Sequence, residues 1–232
     1  MRLILSILLL LLFQVCSAQI ILTEVMFDAD TLENYNEFIE IYNNGTVHID
    51  LNGWLVGDSA EQDLLLDAGN GLLLQPQQYG LILDPGYFEN STIYDGLIPP
   101  GALVLTIEDA SFGSFGLSNS NAEPVILINS TGDTVQRYVY SLNNDPGYSD
   151  EKIILSPDNS PGNWGNSLSF RGTPGDKNSI SPKEIDLSLE EFHFITENFL
   201  VGESPAFEVV VKNPGQQTVV QFQFHTFIDL ND

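Results

Sequence analysis

The chain has 232 residues, 43% hydrophobic and 17% charged, with seven Lys and Arg against 32 Asp and Glu and a formal net charge of −25. Affinity for nucleic acid comes largely from cations that displace counterions from phosphates, so this balance excludes a nucleic-acid partner. An acidic surface instead favours solubility or the collection of divalent cations.

Residues 1–18 read as an export signal. Arg2 is a short positive head, Leu3 to Phe13 is an apolar run interrupted by Ser6, and Cys16-Ser17-Ala18 sets small residues before a cleavage point between Ala18 and Gln19. The mature protein is expected to be secreted, in the medium or at the cell surface. No later stretch approaches the roughly twenty apolar residues a membrane span needs, so no transmembrane span is expected. Gln14 and Val15 stand before Cys16 where a lipid-attachment signal needs a small residue, which argues against lipidation. Cys16 is the single cysteine. Without it the mature chain relies on packing alone, and a domain of roughly 150 residues buries about 70% of its unfolded surface, enough to do so. Thiolate zinc sites and cysteine nucleophiles fall away with it.

Beyond the leader, apolar or alternating runs punctuated by Gly, Asn, Asp and Pro predict strands at 20–27, 37–42, 53–56, 63–66, 71–74, 79–83, 102–107, 124–129 and 134–140. No helix is expected. In Glu37 to Tyr42 the side chains of Ile39 and Ile41 share one sheet face while Phe38, Glu40 and Tyr42 share the other, as in a strand covered on both sides. Asn43-Asn44-Gly45 supplies residues that tolerate positive φ for a tight reversal. A second turn at Gly53 delivers Trp54 into the core. The clearest hairpin joins 125–128 to 134–140 through Asn129-Ser130-Thr131-Gly132-Asp133. Two longer stretches, 85–100 and 143–175, read as irregular loops. Trp164 and Phe170 in the second are expected to pin it to the sandwich, the alternative being a platform for sugar or peptide.

The runs Thr23-Glu24-Val25-Met26-Phe27 and Glu37 to Gly45, followed by Gly53-Trp54, resemble the opening of a lamin tail domain. Gly172-Thr173-Pro174-Gly175-Asp176-Lys177-Asn178-Ser179 is similar to the Thr-Pro-Gly-x-x-Asn ending of its bacterial members. The positions that carry the resemblance are Glu24, Glu40, Asn43, Gly53, Trp54, Thr173, Pro174, Gly175 and Asn178. It implies an all-β fold, an immunoglobulin-like β-sandwich of the lamin tail domain type over residues 19–181, in a secreted bacterial protein. Thr23 stands where the family commonly has Asn, a departure that argues against a fixed polar network at the first strand. On a bacterial reading the sequons at Asn44, Asn90 and Asn129 are turn sequences. Residues 182–232 resemble the front half of a second bacterial immunoglobulin-like or cell-adhesion-related module, with a strand run from Ile185, a turn at Val201 to Pro205, and further strands at 206–212 and 218–228. Such a sandwich takes about 100 residues, so a partial, truncated second domain is expected.

Catalytic motifs are absent from the sequence. His48, His193 and His225 form no ligand-spaced pair, and no Gly-x-Ser-x-Gly, phosphate loop or His-Glu-x-x-His occurs. Glu24, Glu37 and Glu40 are the nearest candidates for a glycosidase carboxylate pair, whose separation is a fact of three dimensions. Their expected role is that of polar strand positions or turn-stabilising carboxylates. Asp28, Asp30 and Glu33 are candidate calcium ligands, hard oxygens in one acidic loop, although Glu33 stands where an EF-hand requires Gly. Asp229-x-Asn231 would begin a second calcium loop. Solvated acids are the expected reading of both, and no cofactor other than calcium is suggested. The function expected is a secreted, non-catalytic β-sandwich module for extracellular adhesion, scaffolding or tethering. Its partner would be an extracellular protein or glycan, or further domains of the same polypeptide. The alternative is the N-terminal accessory region of an exported hydrolase, a nuclease or phosphoesterase, with its catalytic domain beyond Asp232.

Overall fold

The computed structural model describes residues 20–183, 185–195, 206–215 and 217–225. The cleavage point expected between Ala18 and Gln19, the turn expected at Val201 to Pro205 and the calcium loop expected from Asp229 lie outside the described residues. The chain divides into two compact units, with the boundary between Ile180 and Ser181.

In chain order the first unit has β1 (Ile20–Met26), α1 (Glu33–Asn36), β2 (Phe38–Asn43), β3 (Ile49–Asp50), β4 (Leu55–Gly57), β5 (Gln62–Asp67), β6 (Leu73–Leu74), β7 (Tyr79–Leu83), α2 (Tyr87–Asn90), β8 (Leu103–Ile107), β9 (Pro124–Ile128), β10 (Thr134–Val139), β11 (Asp150–Lys152) and β12 (Trp164–Asn166). All but β3 and β6 belong to one sheet of order β10-β9-β4-β5-β8-β7-β2-β1-β11-β12. Its pairs are antiparallel except β7 with β8, which run parallel and therefore need a crossover, supplied by residues 84–102. The sheet curls until its two edges meet. Tyr138 of β10 stacks on Trp164 of β12 with ring centroids 3.6 Å apart and planes 9° from parallel. The Tyr138 hydroxyl also donates to Asp150 Oδ2 at 2.7 Å. The result is an all-β, immunoglobulin-like sandwich. Asn159 Nδ2 donates to the Arg137 carbonyl at 3.1 Å, so part of the outer edge of β10 is occupied, which blunts edge-to-edge association.

The central strands are covered on both faces, as the alternation in β2 requires. Ile39 and Ile41 join Leu22, Val25, Trp54, Leu105 and Leu127 in the inner core. Phe38 faces outward with Met26, Leu81, Leu83, Tyr87 and Tyr94, the last two supplied by the crossover. One register break makes this consistent. Leu22 pairs with Ile41 and Glu24 with Glu40, which leaves Thr23 as the extra residue of a bulge. Because strand side chains alternate, only that insertion lets Leu22 face inward and Glu24 outward.

Four expectations need correction. Residues 143–175 are not one irregular loop. They contribute β11 and β12, which extend the sheet beyond β1 through Glu24↔Glu151 and Glu151↔Gly165. Two helices of four residues occur where none was expected, one in the β1–β2 loop and one in the crossover. Asn43, Asn44 and Gly45 all keep negative φ. The reversal is held by the Asn43 side chain, which accepts from Gly45 N at 2.9 Å and donates to the Val47 carbonyl at 2.8 Å. Gly53 does take positive φ, at 77°. In the second unit the observed hairpin is β13 (Ser188–Phe194) with β14 (Phe207–Lys212), and residues 218–225 form no strand. Phe192 stacks on Phe207 at 5.3 Å, yet most of this hairpin is exposed. No described helix is long and apolar enough to cross a membrane.

Trp164 of β12 is 6% exposed and pins its segment, whereas Phe170 rests an edge on Tyr148 at 5.7 Å and remains 51% exposed. Trp164→Ala is expected to cost about 3–5 kcal/mol in urea denaturation of the full chain, as for other large buried rings. A loss near 0.5 kcal/mol, the range of surface changes, would place the ring outside the core.

Candidate functional site

The register that pairs β2, β1 and β11 sets Glu40, Glu24 and Glu151 side by side on the outer face, each directly across from Glu24 or from its neighbour. All three are fully buried. An ionised carboxylate taken from water costs several kcal/mol unless donors replace the solvent, so the donors must come from the chain. Most come from the segment 167–180, which lies across the three strands as a strap, and the rest from Thr23 and Ser149.

The strap is built around a turn. Asp176 N donates to the Thr173 carbonyl at 3.0 Å, with Pro174 and Gly175 at the central positions. This is the residue order of a type II turn, whose third position demands positive φ, and Gly175 has φ 82°. That conformation aims Gly175 N at Glu40 Oε2, 2.6 Å away. A Cβ there would come within 2.7 Å of the Ala102 Cβ. Glu40 Oε1 accepts from Thr23 Oγ1 at 2.7 Å, so the bulged residue completes a fixed polar network. Thr23 thus takes part in a polar network at the first strand, contrary to the expectation from the sequence. Glu24 Oε1 accepts from Ser149 Oγ at 2.5 Å and Thr173 N at 2.9 Å. Glu151 accepts from Ser167 Oγ and Ser179 Oγ at 2.8 and 2.7 Å and from Ile180 N at 3.1 Å. Thr173 Oγ1 lies 3.0 Å from both Glu24 Oε2 and Glu151 Oε1. Asn178 Nδ2 ties the strap to the backbone, donating to the carbonyls of Thr23 at 2.7 Å and Lys152 at 2.9 Å.

Burial is the main reason that Glu24 is pushed up to about 8, with the Glu151 charge adding to it. Glu40 is raised well above 4.5, again by burial first and by Glu24 second. Of the glycosidase candidates, Glu24 and Glu40 thus lie beneath the strap with no approach for a sugar. Glu37 points the other way. It accepts from Leu117 N at 2.8 Å, and burial, with lesser contributions from Asp84 and Glu33, takes it to about 9. The structure does not assemble the three into one site.

The candidate calcium residues are engaged by other side chains. Asp30 forms an ion pair with Arg171 at 3.0 Å. Asp28 and Glu33 both accept from Asn119 Nδ2. A calcium ion held by all three would displace these partners. A different acidic group was missed. Glu61, Asp63 and Asp109 each bring an oxygen within 4.8 Å of the others, and Asp63 is raised to about 6 by burial first, then by Asp109, Glu61 and Asp58. Glu61 and Asp63 lie at the start of β5 and Asp109 just beyond the end of β8, so sequence spacing carried no signal. Of the motif positions, Trp54 is buried in the inner core and Asn43 and Gly53 hold the turns described above.

Two expectations follow. Glu24, Glu37 and Glu40 keep protons in the fold that the unfolded chain surrenders near pH 4.5, so their stabilisation is full below that pH and is lost as pH rises through the folded values, about 8 for Glu24 and about 9 for Glu37, with Glu40 also raised. The urea midpoint of the sandwich should therefore fall from pH 5 to pH 9. A midpoint that rises over this window would contradict the burial of the row. Second, Thr173→Val removes one hydroxyl between two buried carboxyl groups and should cost about 2–3 kcal/mol, since each buried group left without a partner costs about 1–3 kcal/mol. Thr173→Ser should recover most of the loss in the same denaturation experiment.

Comparison with curated proteins gives no match. A family model, the Lamin Tail Domain, matches residues 16–141. The matched segment runs through β10 and stops short of β11, β12 and the strap, which complete the same compact unit. That match covers more than half of the sequence, and with the curled immunoglobulin-like sandwich it shows that this chain belongs to the lamin tail domain family.

Proposed function

We infer that the chain is a secreted, non-catalytic module that uses one end of its sandwich to hold an extracellular protein or glycan. One observation carries this reading. The three adjacent glutamates are consumed by the fold, while aromatic surface is left at one end of the strands: Phe115 is 96% exposed, and Phe170, resting on Tyr148, is 51% exposed. Asn119 reaches Asp28 and Glu33 from the β8–β9 loop. Gly147 N donates to the Asp28 carbonyl at 2.7 Å. These contacts gather the β1–β2, β8–β9 and β10–β11 loops at that end. Loops held on a rigid sandwich are where binding residues concentrate. The leader supports export, and the acidic surface suits a protein kept soluble outside the cell.

The test has two parts. Protein recovered from the medium and surface of the producing cells should begin at Gln19 by terminal sequencing; a chain retained inside with Met1 intact would sink the export reading. Purified protein should then be retained on those cells, and Phe115→Ala with Phe170→Ala should lower retention severalfold at unchanged thermal stability. Equal retention by the double variant would remove the loop end from the function.

A further inference from the structure

We propose that the strap of residues 167–180 is a proton-controlled clasp, closed while one proton is shared along Glu24, Thr173 and Glu151 and released when that proton leaves.

The count of hydrogens leads to this. A threonine hydroxyl has one hydrogen, yet Thr173 Oγ1 stands at hydrogen-bond distance, 3.0 Å, from a carboxyl oxygen on each side. Both contacts are hydrogen bonds only if one carboxyl group itself carries a hydrogen. The surrounding donors say which. Glu151 Oε2 receives Ser179 and Ile180 N, while Oε1 receives Thr173 and shares the Ser167 hydrogen with the Ser169 carbonyl, so donors meet both of its oxygens, the arrangement of an anion. Glu24 receives Ser149 and Thr173 N on Oε1 alone, which leaves Oε2 free to bear the hydrogen. The chain of bonds is then Glu24 Oε2–H to Thr173 Oγ1, and Thr173 O–H to Glu151 Oε1. When the Glu24 O–H bond breaks and its proton passes to water, the Thr173 oxygen faces a bare carboxylate with no hydrogen between them. Two anions then stand opposite each other on paired strands. Opening the strap relieves both by admitting water.

The other ionisable groups near the row add to this. Tyr79 from β7, Tyr94 from the crossover and Asp176 from the strap all bear on it, together with Glu40 from β2. None of these side chains can carry a positive charge, so none offsets a new charge on Glu24. Arg171, at the head of the turn, is spent on Asp30. The closed strap holds Glu24 protonated to about pH 8, whereas an open one frees it to ionise near 4.5. Between those limits the opening equilibrium rises with pH, about tenfold per pH unit for one proton, and levels off above.

Three backbone amides report the clasp directly: Thr173, Gly175 and Ile180 donate to Glu24, Glu40 and Glu151 in turn. Hydrogen exchange of the full chain, corrected for the intrinsic pH dependence of exchange, should show their protection falling about tenfold per pH unit from pH 5.5 to 7.5. Amides of Leu81 and Ile82 in β7 should lose protection only as the global stability of the sandwich falls, and so less steeply than the three strap amides over the same range. Glu24→Gln, whose amide cannot ionise and can still donate to Thr173, should flatten the dependence. Protection of the three amides that tracks β7 at every pH, or a slope that survives in Glu24→Gln, overturns the proposal. Should that variant not fold, infrared spectra of the wild type decide. A protonated carboxylic C=O band at pH 7 that fades in step with strap protection supports the clasp, and its absence at pH 7 overturns it.

Discussion

The structure depends on the burial of three adjacent carboxyl groups toward one end of the sheet. Glu40, Glu24 and Glu151 occupy paired positions on three neighbouring strands, where apolar side chains would pack without any need of donors. Because they are acids, the outer face there must be covered by backbone N–H groups and hydroxyls at fixed places. The bulge at Thr23, the turn at Pro174-Gly175 and the serines at 149, 167 and 179 each answer that demand. The final segment of the domain is thereby specified by geometry as well as by hydrophobic contact. Buried polar groups confer little net stability, but an incorrect register would leave several of them without partners.

The same segment explains how an open sheet avoids its edges. β11 and β12 are only three residues each, and on their own they would pair weakly. The strap holds β11 to β1 through Asn178, and the Tyr138–Trp164 stack brings β12 against the far strand β10. Lys152 is sealed in this closure, with Nζ 4.8 Å from the Trp164 ring centre and donating to the Asp158 carbonyl and Asn159 Oδ1. Burial lowers it to about 8. Closure therefore joins a ring stack, a caged amine and a row of acids into one polar seam beside the hydrophobic core.

What the sequence disclosed was whatever rests on alternation and turn chemistry. The two-faced pattern of Phe38 to Tyr42 announced a strand covered on both sides, and the hairpin around Asn129 to Asp133 was legible from its Asn and Gly. Three things escaped for physical reasons. The bulge at Thr23 has no compositional mark, since any residue can be the extra one, yet it decides which way Glu24 points. β11 reads Asp150-Glu151-Lys152, three charged residues whose burial depends on partners far away in sequence, so it resembled loop. The reversal after β2 contains the residues of a positive-φ turn, but the Asn43 side chain offered the backbone a cheaper route. The strap was visible as a motif, while its purpose lay in the register of strands that sequence spacing does not give.

One consequence concerns mechanical load. β1 opens the sandwich at Ile20 and the strap closes it at Ile180, and the two are fastened to each other by the Thr23–Asn178 and Glu24–Thr173 bonds. Tension applied between those points does not travel through the core. It runs across a short bridge of hydrogen bonds arranged in parallel, so the sandwich can bear force at its two ends while the inner hydrophobic packing is left unstretched.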